Sequence, residues 1–292
     1  MSFSLLKPTG LTRNIKWILI PHEPSNSSLV SAALPDDVLF AIIRQAAAQD
    51  TTTALALAMC SKAVGRAAET VLYASVSLRS IPAIRTFTST LRTKGRHILA
   101  CVTALRLGIA TPPLFDDFWA LVSERCPEID TLSIWEADLE ALLRPEMRIR
   151  PRQLSLLSNT ALAGVRVQEP VDDAALLSRL THLYIADSRR FFGTGVSRIF
   201  GSLRVRPEAL LHVTHFASFL TLRPDLHWDE VRKIPNLRVC VFLDAFWALH
   251  PGSLPVDRLD RIVVLDSRAA DDAEGCWKLA EEKIAGKRLG IS

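Results

Sequence analysis

Two histidines three residues apart, His212 and His215, are the closest approach to a metal pair in this sequence. A metal would need both imidazoles on one side, with further ligands nearby. Val213 to Ser218 reads as a strand, and residues three apart on a strand point to opposite faces. No cysteine or third histidine lies close by, so no metal is expected. Gly193-Thr-Gly195-Val-Ser-Arg198-Ile-Phe-Gly201 is rich in glycine, but its spacing is not the G-x-G-x-x-G of a dinucleotide loop. There is also no G-x-S-x-G, no phosphate loop and no Cys-x-x-Cys. No residue set for catalysis stands, and neither an enzyme activity nor a cofactor is expected.

The chain carries binding chemistry instead. Arg189, Arg190, Arg198, Arg204 and Arg206 fall between Ser188 and Pro207 with no acidic residue among them. Phe191, Phe192 and Phe200 are interleaved. A second basic group, Arg144, Arg148, Arg150 and Arg152, is interrupted only by Glu146. Brought to one edge, the two groups make a basic rim suited to an acidic or phosphorylated peptide, because guanidinium forks pair bidentately with phosphate. The plainer reading is a solvated loop whose phenylalanines tuck against neighbouring structure. Trp135 follows the apolar Ile134 on a predicted strand and should point the other way. It is the tryptophan placed to reach a binding surface, where this residue type concentrates.

These side chains must be positioned by what lies around them, and from residue 81 onward a pattern recurs: apolar-x-x-apolar-x-apolar. It runs through Val102–Leu107, Ile129–Ile134, Gln153–Leu156 in part, Leu180–Ile185, Val213–Ser218 more weakly, Leu237–Phe242 and Leu259–Val264. The fourth positions, 105, 132, 154, 183, 216, 240 and 262, are separated by steps of 22 to 33 residues. Five of the six steps match a repeat of 20–29 residues that contributes one strand each. The long step from 183 to 216 predicts an inserted loop. Between the strands lie short helical segments with an acidic residue near each start, as helix starts prefer. A helix from Asp272 to Ala285, with Trp277, Ala280 and Ile284 on one stripe, is expected to cap the open end of the stack.

Before the repeats, residues 34–79 read as three short helices and a strand. Leu34-Pro35 opens the first, with Asp36 and Asp37 in its first turn, where negative charge suits the helix dipole. Val38, Leu39, Ile42, Ile43 and Ala46 lie along one stripe. Asp50 and the threonines after it break that helix. Ser61 is a plausible N-cap for the third, on which Val64, Ala67, Ala68, Val71 and Leu72 form an amphipathic match. The LPxxVLxxII opening, the MCSKAVGRAAETVLY helix and the VSL strand together resemble an F-box of the fungal F-box/leucine-rich-repeat type. The resemblance implies that Leu34, Pro35, Val38, Leu39 and Ile42 dock on the Skp-type adaptor of a cullin ubiquitin ligase. It also implies that the rest of the chain selects an unknown protein substrate. The asparagine that closes the turn of such repeats is absent from most copies, so the stack is expected to be irregular.

The expected fold class is therefore α/β. It comprises an N-terminal extension (1–33), an F-box-like helical unit (34–80), and an irregular leucine-rich-repeat-like solenoid with a parallel sheet (81–292). A repeat scaffold without ligase engagement remains the alternative, with the same N-terminal helices serving as its cap. Composition fits either: 49% of the 292 residues are hydrophobic and 23% charged. A net charge of +4 is too mild to argue for nucleic acid. The one early apolar run, Trp17 to Ile20, is too short for a membrane span or a signal core. Five widely spaced cysteines suggest reduced thiols, and so a cytoplasmic or nuclear protein.

Overall fold

The computed structural model describes residues 35–112, 117–158, 175–187, 206–219, 231–244, 262–266 and 273–288. Three helices come first: α1 (Asp36–Gln49), α2 (Thr51–Cys60) and α3 (Lys62–Ala74). Their boundaries follow local hydrogen bonding. The Asp50 carboxylate accepts from the Thr53 backbone N–H at 2.8 Å and its hydroxyl at 2.6 Å, starting α2. These bonds hold the Asp50 carboxyl below its usual range, the hydroxyl's being the larger cause. Ser61 Oγ accepts from Val64 N–H at 3.3 Å and starts α3, as the sequence predicts. Helices α2 and α3 come close at Gly65, where a Cβ would lie 2.8 Å from the carbonyl oxygen of Ala58. Small residues make that approach possible: Ala47, Ala54 and Ala68 form the centre of this three-helix packing.

From Ser75 the chain builds an eight-stranded, all-parallel sheet. Its strands are β1 (Ser75–Leu78), β2 (Ala104–Leu107), β3 (Thr131–Trp135), β4 (Gln153–Ser158), β5 (His182–Asp187), β6 (His215–Phe219), β7 (Val239–Asp244) and β8 (Ile262–Asp266). They lie side by side in sequence order, so each pairs with its neighbours in the chain. Strands β2 to β8 fall where the recurring pattern places them, and β1 where the VSL segment does. Register is set by one device repeated five times, a carbonyl accepting from two successive N–H groups of the next strand's start. Thr103 O serves Asp130 and Thr131, Asp130 O serves Arg152 and Gln153, and Arg152 O serves Thr181 and His182. Thr181 O and Thr214 O do the same for the next two strands.

Parallel strands need crossover connections, and the described ones are helical in part. Helices α4 (Ile81–Thr93), α5 (Arg96–Leu99), α6 (Phe118–Arg125) and α7 (Leu139–Leu142) occupy the first crossovers. Leu105, Leu132, Leu154, Leu183, Phe216, Cys240 and Ile262 form one buried row across the sheet. They join Ile84, Phe87 and Leu91 of α4, Phe118 and Val122 of α6, and Leu139 and Leu142 of α7 in the main core.

The second face of the sheet changes character along its length. On β1 to β4 it carries Ser77, Arg106, Ser133 and Ser155, and on β5 to β8 it carries Tyr184, Ala217, Val241 and Val263. The last helix, α8 (Ala273–Arg288), lies over this apolar half. This corrects the expectation of a helix closing the end of the stack. Strands β7 and β8 read VCVFLD and IVVLD, apolar toward both sides, and a two-sided strand needs cover on both. Cys276, Trp277, Ala280 and Ile284 of α8 provide it by burying against Val239, Val241, Leu243, Val263 and Leu265.

Candidate protein-docking surfaces

Helix α1 buries Ile43 and Ala47 but leaves Val38, Leu39 and Ile42 at 40%, 39% and 52% exposure. Pro35, its N-cap, is exposed as well. Helix α2 adds Leu55 at 54% and Met59 at 87%. Aliphatic side chains on one short unit rarely stay open without a partner. The stripe read from the sequence is therefore split: Ile43 turns inward, and its neighbours turn to solvent. Leu34 lies outside the described residues.

The basic rim is described only in part. Arg189, Arg190, Arg198 and Arg204, the interleaved phenylalanines and the glycine-rich stretch lie outside the described residues. So do Trp228 and Trp247. Arg206 is exposed, as are Arg144, Arg148, Arg150 and Arg152. Buried Met147, Ile149 and Pro151 alternate with the last three of these. Arg152 pairs with Asp130 at 3.4 Å. Trp135 is half-buried, packs against the main core and hides its indole N–H.

The second face holds an arrangement the sequence reading missed. His212 is exposed, whereas His215 lies on β6 directly opposite His182 of β5. The two imidazoles stack at 4.1 Å with an interplanar angle of 11°. Each Nδ1 hydrogen-bonds with the hydroxyl of the preceding threonine, Thr181 at 2.9 Å and Thr214 at 2.8 Å. Trp277 of α8 sets its ring edgewise against both, at 5.3 and 5.8 Å. Glu281 reaches His215 Nε2 at 3.4 Å, and Glu274 reaches Arg106 at 3.6 Å. The signal was the dipeptide Thr-His at the same position of two successive repeats, which parallel pairing in register turns into a stack. Stacked rings send their in-plane lone pairs along parallel lines, a poor geometry for a shared metal. Among the described residues no group of three His, Cys, Asp or Glu could hold one.

Burial pushes the His182 imidazole down to about 4, with the neighbouring His215 acting in the same direction. Glu281 and Asp130 oppose the shift. Burial also lowers His215, and the charge of Arg238 adds to it. A histidine whose folded value lies below its ordinary 6.5 contributes stability that is full above pH 6.5 and is lost as pH falls toward the folded value. The seating of α8 is therefore expected to weaken by about 1–2 kcal/mol between pH 7 and 5, after discounting for partial exposure. Urea unfolding at the two pH values measures it, and His182→Asn should flatten the difference. An equal pH dependence in that variant would remove the His182 imidazole as the cause.

One further polar group organises the helix side of the sheet. Asp138, 3% exposed, accepts at Oδ1 from the Thr111 backbone N–H at 3.1 Å and from the Trp119 indole at 3.2 Å. It links the segment after β2, the turn after β3, and α6. Burial pushes its carboxyl upward, against hydrogen bonding from Thr111, Trp119 and the Trp135 backbone. Among the described residues no helix is long and apolar enough to cross a membrane. No model of a known protein family matches this chain, and no curated protein matches its sequence.

Proposed function

We propose that this chain is a non-catalytic interaction protein, the substrate-recognition subunit of an SCF-type cullin ubiquitin ligase. In this reading α1–α3 form a degenerate F-box, and β1–β8 with their crossovers form an irregular leucine-rich-repeat platform. The observation that carries it is the outward stripe of Val38, Leu39 and Ile42. Helices that served only to cap the chain's own sheet would turn such a stripe inward. Two further observations support the division of labour. The repeats have their own core, which contains no residue of α1 or α2. Helix α3 ties the helical unit to the platform, through Glu69–Lys94 at 2.8 Å and Thr103 N–H to Ala74 O at 2.9 Å.

The scaffold reading rests on that same attachment of α3, which covers the start of the sheet. Capture on immobilised Skp-type adaptor separates the two. The wild-type chain should be retained, and Leu39→Asp or Ile42→Asp should each weaken retention at least tenfold. Both positions are open to solvent, so the variants should fold. A folded wild type that the adaptor does not retain would leave the scaffold reading in place.

A further inference from the structure

Helix α8 belongs to none of the main core. Its buried residues form a separate cluster with the second face, while the helix side of the sheet is closed by α4, α6 and α7 without it. The floor under it is mixed in chemistry. Beside the aliphatic side chains of β7 and β8, Trp277 meets two imidazoles and, at 6.5 Å, the ring of Tyr184. Two of its ionic contacts lie at the rim: Glu274 and Glu281 are 81% and 63% exposed and meet Arg106 and His215. Such exposed pairs orient a helix more than they hold it. The same face continues past α8 over β1 to β4, floored by Ser77, Arg106, Ser133 and Ser155.

We propose that the second face over β5–β8 is a helix-binding surface, and that α8 is its resident occupant, displaceable by a partner helix of the same chemistry. That partner presents an aromatic, a small residue and an aliphatic along one stripe, as Trp277, Ala280 and Ile284 do, with a carboxylate on each flank. The positive groups it meets are Arg106, Arg238 and, when protonated, His215. An exchange, rather than a simple release, is required because the uncovered strands would expose Val239, Val241, Leu243, Val263 and Leu265 together. The partner must form or bring a helix, as in other groove recognitions read by an i, i+3, i+7 stripe. The inference is independent of adaptor docking on α1.

The test uses a fluorescein-labelled peptide of residues 273–288 carrying Cys276→Ser, added to the full-length chain. Full-length Trp277→Ala, with its own helix loosened, should bind the peptide at least tenfold more tightly than wild type does. A peptide carrying Trp277→Ala should not bind. In the wild type, excess unlabelled peptide should speed thiol modification of Cys276, which α8 buries fully against the sheet. The proposal is overturned if the folded Trp277→Ala chain does not bind the peptide. It is equally overturned if that chain loses its sheet and the wild-type Cys276 stays protected at saturating peptide. No adaptor is present, so failure here and failure of the ligase reading remain distinguishable.

Discussion

Phe216→Ala is expected to lower the unfolding free energy by about 3–5 kcal/mol, among the largest losses a single substitution can cause here. Phe216 is fully buried and sits in the row between Leu183 of β5 and Cys240 of β7. The neighbouring positions of that row carry smaller side chains, so the ring fills space that neither strand can reach. Parallel pairing fixes β5 and β7 on either side, and two bifurcated backbone contacts pin the start of β6. The walls therefore cannot close over the void, and the cavity cost adds to the lost transfer energy. Urea unfolding followed by circular dichroism should show a lower midpoint with an unchanged slope. A loss under about 1 kcal/mol would mean that the stack yields locally and is softer than its register suggests.

That row was legible because one apolar position per repeat survives even where the rest of the motif decays. Val213–Ser218 ends on a polar residue, yet Phe216 still marks the strand. The start of α3 was legible because Ser61 acts through a bond to a residue three positions away, whereas Asp50, read only as a break in α1, also starts α2 by such a bond. Side-chain direction on α1 was less so. Periodicity groups Val38, Leu39, Ile42 and Ile43 together, but only packing against α3 decides that Ile43 turns in and Ile42 out. The place of α8 was missed because a terminal amphipathic helix fits an edge and a face equally well by its own pattern. The discriminating sign lay elsewhere, in the two-sided apolar character of β7 and β8. The His182–His215 stack needed register as well as repetition, which no single strand reveals.

Asp138 was invisible to any pattern, being one acidic residue beside a short helix, and its removal is the other large effect expected. Asp138→Ala should cost about 2–4 kcal/mol, because the Trp119 indole N–H is left buried without an acceptor and the Thr111 N–H loses its own. Each such orphaned donor carries a penalty of about 1–3 kcal/mol, reduced at Thr111 by its partial exposure. Asp138→Asn separates shape from charge. Both hydrogen bonds end on Oδ1, which an amide oxygen reproduces, whereas Oδ2 has no hydrogen-bond partner among the described residues. Burial disfavours the ionised carboxyl, so shedding the charge offsets part of whatever the exchange disturbs. The raised folded value works the same way with pH: the advantage of the neutral acid is full below its unfolded value and disappears as pH rises through the folded one. Asn should therefore stay within about 1 kcal/mol of wild type at pH 7, and the gap between the two should widen in acid, where the wild-type carboxyl is neutral too. If Asn proves as damaging as Ala, the charge itself is what holds Thr111 and Trp119 in place.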